Sequence, residues 1–324
     1  MCTAISFKRT DHYFGRNLDL EYHYNEEVVV TPENFNFPFR NASLSRGFYP
    51  MIGMATVIDH IPLYYDATNI YGLSMAGLNF PGNAEYKPID PSLNNIAPFE
   101  LIPWILAQCK SVAEAKDLLR KINITNTQFS DMLPITPLHW MLSDDKESVV
   151  IESVKEGVFV YDNPVYVLTN SPPFPYHLYH LRNFLNLTNQ APDGDLTRSL
   201  HLKPYSNGVG GVGLPGDLSS DSRFIKATYL LLNSVCDSSE NSCVSQFFHI
   251  LDAVAHPRGC VKVGKEYEIT YYSSCCNATK GIYYYKTYDN SRICAVKMDG
   301  SNLTGKQLHR YPLYVDQDIF RVNH

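Results

Sequence analysis

Strand-like and helix-like stretches occur in alternating blocks, and that order restricts the folds open to this chain more than any other feature. A first block of strands holds Thr3-Ala4-Ile5-Ser6-Phe7, Tyr13-Phe14-Gly15-Arg16, Glu27-Val28-Val29-Val30-Thr31 and Met54-Ala55-Thr56-Val57-Ile58, with a further apolar run over 71–79. Two helices follow. One covers 99–109, and the other starts at Ser111, a predicted N-cap completed as a capping box by Glu114. Strands return at 138–142, 148–152, 157–161 and 166–170, then helices over 221–233 and 244–254, the latter with Ser242 as its cap. Strands at 270–272 and 281–285 close the pattern. Strands, then helices, then strands, twice over, predict stacked antiparallel sheets with helices outside them. The expected class is α+β, a four-layer αββα sandwich.

The first nineteen residues carry the chemistry. Cys2 directly follows Met1, so removal of the methionine would put a thiol and a free α-amine on one Cα. An α-amine titrates near pKa ~7.7–8.0 and can accept a proton at neutral pH. A thiol becomes a strong nucleophile once a base adjoins it. Lys8-Arg9-Thr10-Asp11-His12 reads as a polar turn between two strands. A hairpin centred there pairs residues whose numbers sum to about 20, which sets Cys2 opposite Leu18. Arg16 and Asp19 then lie near the terminus, where a cation favours thiolate and a carboxylate can orient an amine. The competing reading is an ordinary edge strand with an incidental cysteine.

Composition narrows the classes. The 324 residues are 44% hydrophobic, and no linker or low-complexity run divides them, so a single domain over 2–324 is expected. Pro172-Pro173-Phe174-Pro175 reads as a rigid loop. A net charge of −6 without a basic cluster argues against nucleic acid or an anionic membrane as partner. No basic n-region with an apolar run opens the chain, and no apolar window reaches membrane-spanning length, so a cytoplasmic protein with reduced thiols is expected. The eight cysteines form no Cys-x-x-Cys pair, and neither a metal nor a cofactor is predicted.

Other motifs lead nowhere. Gly208-Val209-Gly210-Gly211-Val212-Gly213 matches the dinucleotide fingerprint, but Leu214-Pro215-Gly216 stands where its helix should run. Gly72-Leu73-Ser74-Met75-Ala76-Gly77 is one residue too long for a nucleophile elbow. His177 and His180, with no carboxylate close in sequence, read as surface or packing residues.

Six segments in order resemble the choloylglycine hydrolase family, the bile salt hydrolases and penicillin V acylases. They are Met1-Cys2-Thr3, Phe14-Gly15-Arg16-Asn17-Leu18-Asp19, Met75-Ala76-Gly77-Leu78-Asn79-Phe80-Pro81, Leu138-His139-Trp140, Leu168-Thr169-Asn170-Ser171-Pro172, and Gly213-Leu214-Pro215-Gly216-Asp217 with Ser222-Arg223-Phe224. The resemblance implies an N-terminal nucleophile hydrolase, commonly a homotetramer, that cleaves glycine- or taurine-conjugated bile acids. It implies Cys2 as nucleophile with its α-amine as proton shuttle, Asp19 on the amine and Arg16 against the thiol. Asn79 would belong to the oxyanion hole, with Asn170 and Arg223 completing the polar cluster.

The same resemblance puts a steroid cleft at Leu20, Tyr24, Leu63, Tyr65, Phe129, Leu133 and Ile135. Penicillin V acylase is the alternative activity; similar acylases commonly carry tyrosine at the position of Asn79. A non-catalytic steroid-binding scaffold is the alternative of another class. Asn69-Ile70-Tyr71-Gly72 departs from the family pattern, with Ile70 in place of an acid.

Overall fold

The computed structural model describes residues 1–44, 47–192 and 195–323. Its N-terminal hairpin consists of β1 (Cys2–Lys8) and β2 (His12–Leu20). Cys2 pairs with Leu18 and Lys8 with His12, the register expected from the turn. A meander follows: β3 (Glu27–Thr31), β4 (Met51–Ile58), β5 (Ile61–Asn69) and β6 (Ser74–Asn79). Helices α1 (Leu101–Leu106) and α2 (Val112–Leu119) lead to β7 (Leu138–Ser143), β8 (Ser148–Val154), β9 (Gly157–Asp162) and the short β10 (Val167–Leu168). Helices α3 (Phe174–His180), α4 (Ser220–Asn233) and α5 (Glu240–Asp252) come next. The chain finishes with β11 (Ile269–Asn277), β12 (Ile282–Thr287), β13 (Cys294–Lys297) and β14 (His309–Pro312).

These strands build a six-stranded sheet in the order β10-β1-β2-β11-β12-β13 and an eight-stranded sheet in the order β9-β8-β7-β6-β5-β4-β3-β14. Neighbours within both sheets are antiparallel. Helices α4 and α5 pack on the six-stranded sheet and α1 on the eight-stranded one, while β1 and β2 meet β6 across the middle. The four layers run helix, sheet, sheet, helix, as the block order predicts.

The side-chain period of two explains the unbroken apolar runs. Val28 and Val30 point into the core shared by the two sheets, and Val29 points into the core under α1 and α2. In β8, Val150 joins the first core while Val149 and Ile151 join the second. An inner layer is covered on both faces, so its strands carry apolar residues on both sides and bury polar ones only where partners await them, as at Arg16 and Asp66.

Local signals were partly overridden. Ser111 caps α2, accepting the Glu114 N–H at 3.3 Å, but the Glu114 carboxylate turns to the Lys110 N–H at 3.0 Å, so the reciprocal half of the box is missing. Helix α5 starts earlier than expected because Ser239, not Ser242, takes the cap; the Ser242 hydroxyl instead accepts the Asp237 N–H at 3.3 Å. The rigid loop expected at 172–175 is the entrance to α3, where Pro175 occupies the first turn and needs no N–H partner. Of 166–170 only Val167–Leu168 is strand, since Asn163 turns back the preceding chain through Oδ1. The glycine-rich run at 208–213 forms one 3₁₀ turn, Val209–Gly211, and carries no strand–helix junction.

Gly15 shows how tightly the six-stranded sheet is assembled. A Cβ at this position would lie 2.0 Å from the backbone oxygen of Ser274 on β11, and backbone cannot rotate away as a side-chain tip can. Gly15→Ala should therefore destabilise the protein by about 2–3 kcal/mol, the cost of overpacking with forced backbone movement. Urea unfolding at neutral pH measures it, and a loss below about 0.5 kcal/mol would show that the strands can separate freely here.

Candidate functional site

The six polar residues singled out in the sequence come from four elements and one loop, and the fold gathers them at one end of the sandwich. Cys2 opens β1 and is buried. Its backbone N–H donates to Asn170 Oδ1 at 2.8 Å, just beyond β10. Asn170 Oδ1 also accepts Arg223 Nη2 at 2.8 Å, and Asn170 Nδ2 donates to the Asn79 carbonyl at 2.7 Å. One amide thus ties the cysteine, the arginine of α4 and the end of β6 together.

Arg223 lies in the first turn of α4, on the face turned to β1. Its Nη1 donates to the Cys2 carbonyl at 2.5 Å and to Thr3 Oγ1 at 2.7 Å, and its Nε donates to the Leu218 carbonyl at 3.0 Å. Asp19 Oδ2 lies 3.9 Å from Nη1. Burial pushes this guanidinium below its usual pKa, against the pull of Asp19, Cys2 and Glu268.

Arg16 shares the inter-sheet face of the hairpin with Cys2, because Cys2 pairs with Leu18 and side chains two apart point the same way. It crosses between the sheets: Nη1 donates to the Tyr65 carbonyl at 3.0 Å and to the Gly77 carbonyl. Nη2 is buried and has no hydrogen-bond partner. Burial pushes the guanidinium pKa down, but negative charge at Cys2, Tyr272, Asp66 and Asp19 outweighs it and holds the pKa above the usual value. Asp66 is itself fully buried, accepting hydroxyl bonds from Tyr272 and Tyr283 at 2.7 Å each, and burial raises its pKa.

Asp19 accepts Thr270 Oγ1 at 2.5 Å through Oδ1, while Oδ2 is buried without a hydrogen-bond partner among the described residues. Met1 covers this corner. Its ammonium donates to the Asp19 carbonyl and to Glu268 Oε2, both at 2.6 Å. Asn79 ends β6 half-buried, and its side-chain amide has no hydrogen-bond partner among the described residues. The arrangement can activate a sulfur beside a guanidinium, hold an amine between carboxylate and amide oxygens, and offer a neutral N–H donor to a developing oxyanion.

Sequence reasoning missed the supports of this cluster. Of the two readings of His177 the packing one holds, but with polar partners the sequence did not show: it is fully buried, its Nε2 donates to the Asn170 carbonyl at 3.0 Å, and its Nδ1 lies 3.4 Å from Asp221. His180 meets the same carboxylate at 2.6 Å. His139 repeats the device one residue earlier, with Nε2 on the Thr169 carbonyl at 2.9 Å and Nδ1 3.1 Å from Glu152. The carboxylates lie 44 and 13 residues away in sequence, so spacing gives no warning. His256 and Glu268, beside Asp19, were missed for the same reason. The Ile70 departure has a benign setting. Ile70 is exposed, while Asn69 next to it holds the turn by accepting the Tyr71 and Leu73 N–H groups.

The expected cleft residues divide into two groups. Leu20 follows Asp19 directly, Tyr65 presents its carbonyl to Arg16, and Thr56 Oγ1 joins Tyr65 Oη at 2.9 Å to the Tyr24 carbonyl at 3.0 Å. Leu63 is half-buried on the same strand, β5. Phe129, Leu133 and Ile135 are half-buried in the segment entering β7, whose Leu138 pairs with Asn79. Phe129 packs edge-on against Phe99, with ring centroids 5.2 Å apart. Among the described residues no group of metal-ligating side chains occurs, and no helix is long and apolar enough to cross a membrane.

Residues 2–311 match the family described as linear amide C–N hydrolases, choloylglycine hydrolase family. Over 324 aligned residues, and 100% of both chains, the protein is 48% identical to the bile salt hydrolase/transferase of Lactiplantibacillus plantarum. It is 38% identical to that of Clostridium perfringens, again over 100% of both chains. A mutant conjugated bile acid hydrolase from Clostridium perfringens superposes with TM-score 0.89 at 36% identity, each chain covered 100%. Penicillin V acylase from Agrobacterium tumefaciens superposes with TM-score 0.75 at 17% identity, covering 97% of this chain and 92% of that one, a likeness of fold alone.

His177 gives the cluster a pH dependence of known sign. Burial lowers its pKa, the Asn170 and Asp221 interactions only partly opposing this, so it lies below the ~6.5 of an unfolded chain. The unfolded state then binds the proton first, and stability present above pH ~6.5 is lost as pH falls toward the folded pKa. His177→Gln should cost about 1–2 kcal/mol at pH ~7.5 and flatten the decline below pH ~6.5. Urea unfolding at pH ~7.5 and ~5.5 measures both effects.

Proposed function

The chain belongs to the choloylglycine hydrolase family, and we propose that it is a bile salt hydrolase using the cysteine of a processed N-terminus. It is an amide-cleaving hydrolase with an N-terminal nucleophile fold. The bond it takes is the amide joining a steroid acid to glycine or taurine; the names of its full-length relatives give bile salts as what they act on. One observation carries the reading. Asn170 binds the Cys2 nitrogen, Arg223 and the Asn79 carbonyl at once, so the nitrogen that would become the α-amine already sits in the polar cluster.

Loss of Met1 converts the Cys2 amide nitrogen into an amine. That amine takes the thiol proton, and the sulfur attacks the substrate carbonyl carbon. Arg16 stabilises the thiolate, and the free amide of Asn79 faces the oxyanion. The ammonium then gives its proton to the leaving nitrogen, which departs as glycine or taurine and leaves a thioester on Cys2. Water, losing a proton to the same amine, attacks the thioester and releases the free bile acid with the thiol restored. Asp19 and Asn170 hold the amine through these steps, and Arg223 fixes the Cys2 carbonyl.

Leu20, Tyr24, Leu63 and Tyr65 form one wall of the steroid cleft, with Phe129, Leu133 and Ile135 on the other. An apolar cleft with few polar groups suits such a ligand. The chain works as one domain, as a homotetramer, in the cytoplasm, and without a cofactor.

Side-by-side turnover of glycocholate, taurocholate and penicillin V, with intact mass on the same sample, tests the reading. The active protein should lack Met1 and prefer the bile salts. Cys2→Ser should cut kcat/KM at least 10³-fold, because the weaker nucleophile no longer matches its amine. Full activity with Met1 retained, or in Cys2→Ala, overturns the mechanism.

A further inference from the structure

A second buried acid lies behind Asp19, and the steps above do not use it. Glu268 is 4% exposed. Its Oε1 faces His256 Nδ1 at 2.9 Å, and its Oε2 takes the Met1 ammonium at 2.6 Å. His256, fully buried, stands between the two acids, with Nε2 3.9 Å from Asp19 Oδ2. Thr270 clamps the group. Its hydroxyl donates to Asp19 and accepts the His256 backbone N–H at 2.8 Å, and its own N–H donates to the His256 carbonyl at 3.1 Å.

The charges count out simply. Two carboxylates, Asp19 and Glu268, face two cations, Arg223 and the Met1 ammonium, while Arg16 and Asp66 nearby add one group of each sign. Removing Met1 takes one cation away. Protonating the new α-amine on Cys2, one residue along the chain, restores the balance.

We infer that Glu268, beside His256, is a positioning residue that makes the α-amine of the processed Cys2 a stronger base for the thiol proton. The inference rests on the N-terminal cysteine mechanism proposed above. Glu268 exchanges no proton with substrate; its charge acts on the amine across the half-buried space that Met1 leaves. The other charged groups facing that corner are Arg16 and Asp19 from β2, Asp66 from β5 and Arg223 from α4, and the test leaves them in place.

The test is the pH profile of kcat/KM for glycocholate in wild type, Glu268→Gln and Glu268→Asp, with intact mass confirming that each has lost Met1. Removing a nearby negative charge lowers the pKa of both amine and thiol, so both limbs of the Gln profile should move to lower pH by roughly half a unit to one unit. KM at the optimum should stay within about twofold of wild type. Glu268→Asp should lie between the other two. A uniform fall in kcat with unmoved limbs overturns the inference and makes Glu268 a structural residue. Should the Gln protein not fold, the Asp profile decides alone: limbs moved downward support the inference and unmoved limbs overturn it. An inactive wild type would instead sink the hydrolase reading itself, a different result from active enzyme with unmoved limbs.

Discussion

A guanidinium spanning the space between two β-sheets is the constraint on which the rest of this structure depends. Arg16 starts on the six-stranded sheet and ends on carbonyls of the eight-stranded sheet, fully buried. Removing such a charge from water costs several kcal/mol even after relaxation, so the position is tenable only with carbonyls and counter-charge already in place. Asp66 and its two tyrosine hydroxyls supply part of that setting from the opposite sheet and from β11 and β12. The sheets can approach in one registration only, and that registration places Cys2 beside the cation. Packing and reactivity have a common origin in this residue.

The second constraint lies on the other side of β1, where the backbone of Cys2 is held from both directions. Its carbonyl goes to Arg223 and its nitrogen to Asn170. Asn170 in turn is fixed through its own backbone by Ser220 and His177, and Thr169 before it by His139. Two carboxylate–imidazole–carbonyl chains at consecutive residues make a loop position as rigid as a strand. Such preorganisation is what electrostatic catalysis requires, because donors that must move toward a transition state lose their advantage.

Much of this was legible in the sequence, for reasons that differ by residue. The hairpin register followed from one polar turn, and with it the proximity of Cys2, Arg16 and Asp19, since antiparallel pairing turns a count along the chain into a position in space. The apolar run at Glu27-Val28-Val29-Val30-Thr31 was recognisable as strand, but only the fold shows why it is apolar on both faces. Asn79, Asn170 and Arg223 could be named only through family resemblance, because nothing local ties a strand end, a loop and a helix start together. The support that His139, His177, His256 and Glu268 give the cluster escaped the sequence. Their partners lie on other elements, and buried polar pairing leaves no periodic trace. The earlier start of α5 and the entrance to α3 were missed for a smaller reason: several serines or prolines in one run compete for a cap, and packing picks the winner.

The anchoring of Cys2 has a further implication for how such proteins diversify. Among the described residues, every bond that fixes Cys2 comes from β-strands, the first turn of α4 or the Asn170 position, and none comes from the side chains of Tyr24, Leu63, Phe129, Leu133 or Ile135. With the function proposed above, insertion, deletion or exchange within the segments around 20–26 and 125–137 would reshape what is recognised without retuning the reacting atoms. Selectivity and reactivity would then be separable modules in this scaffold, free to evolve at different speeds.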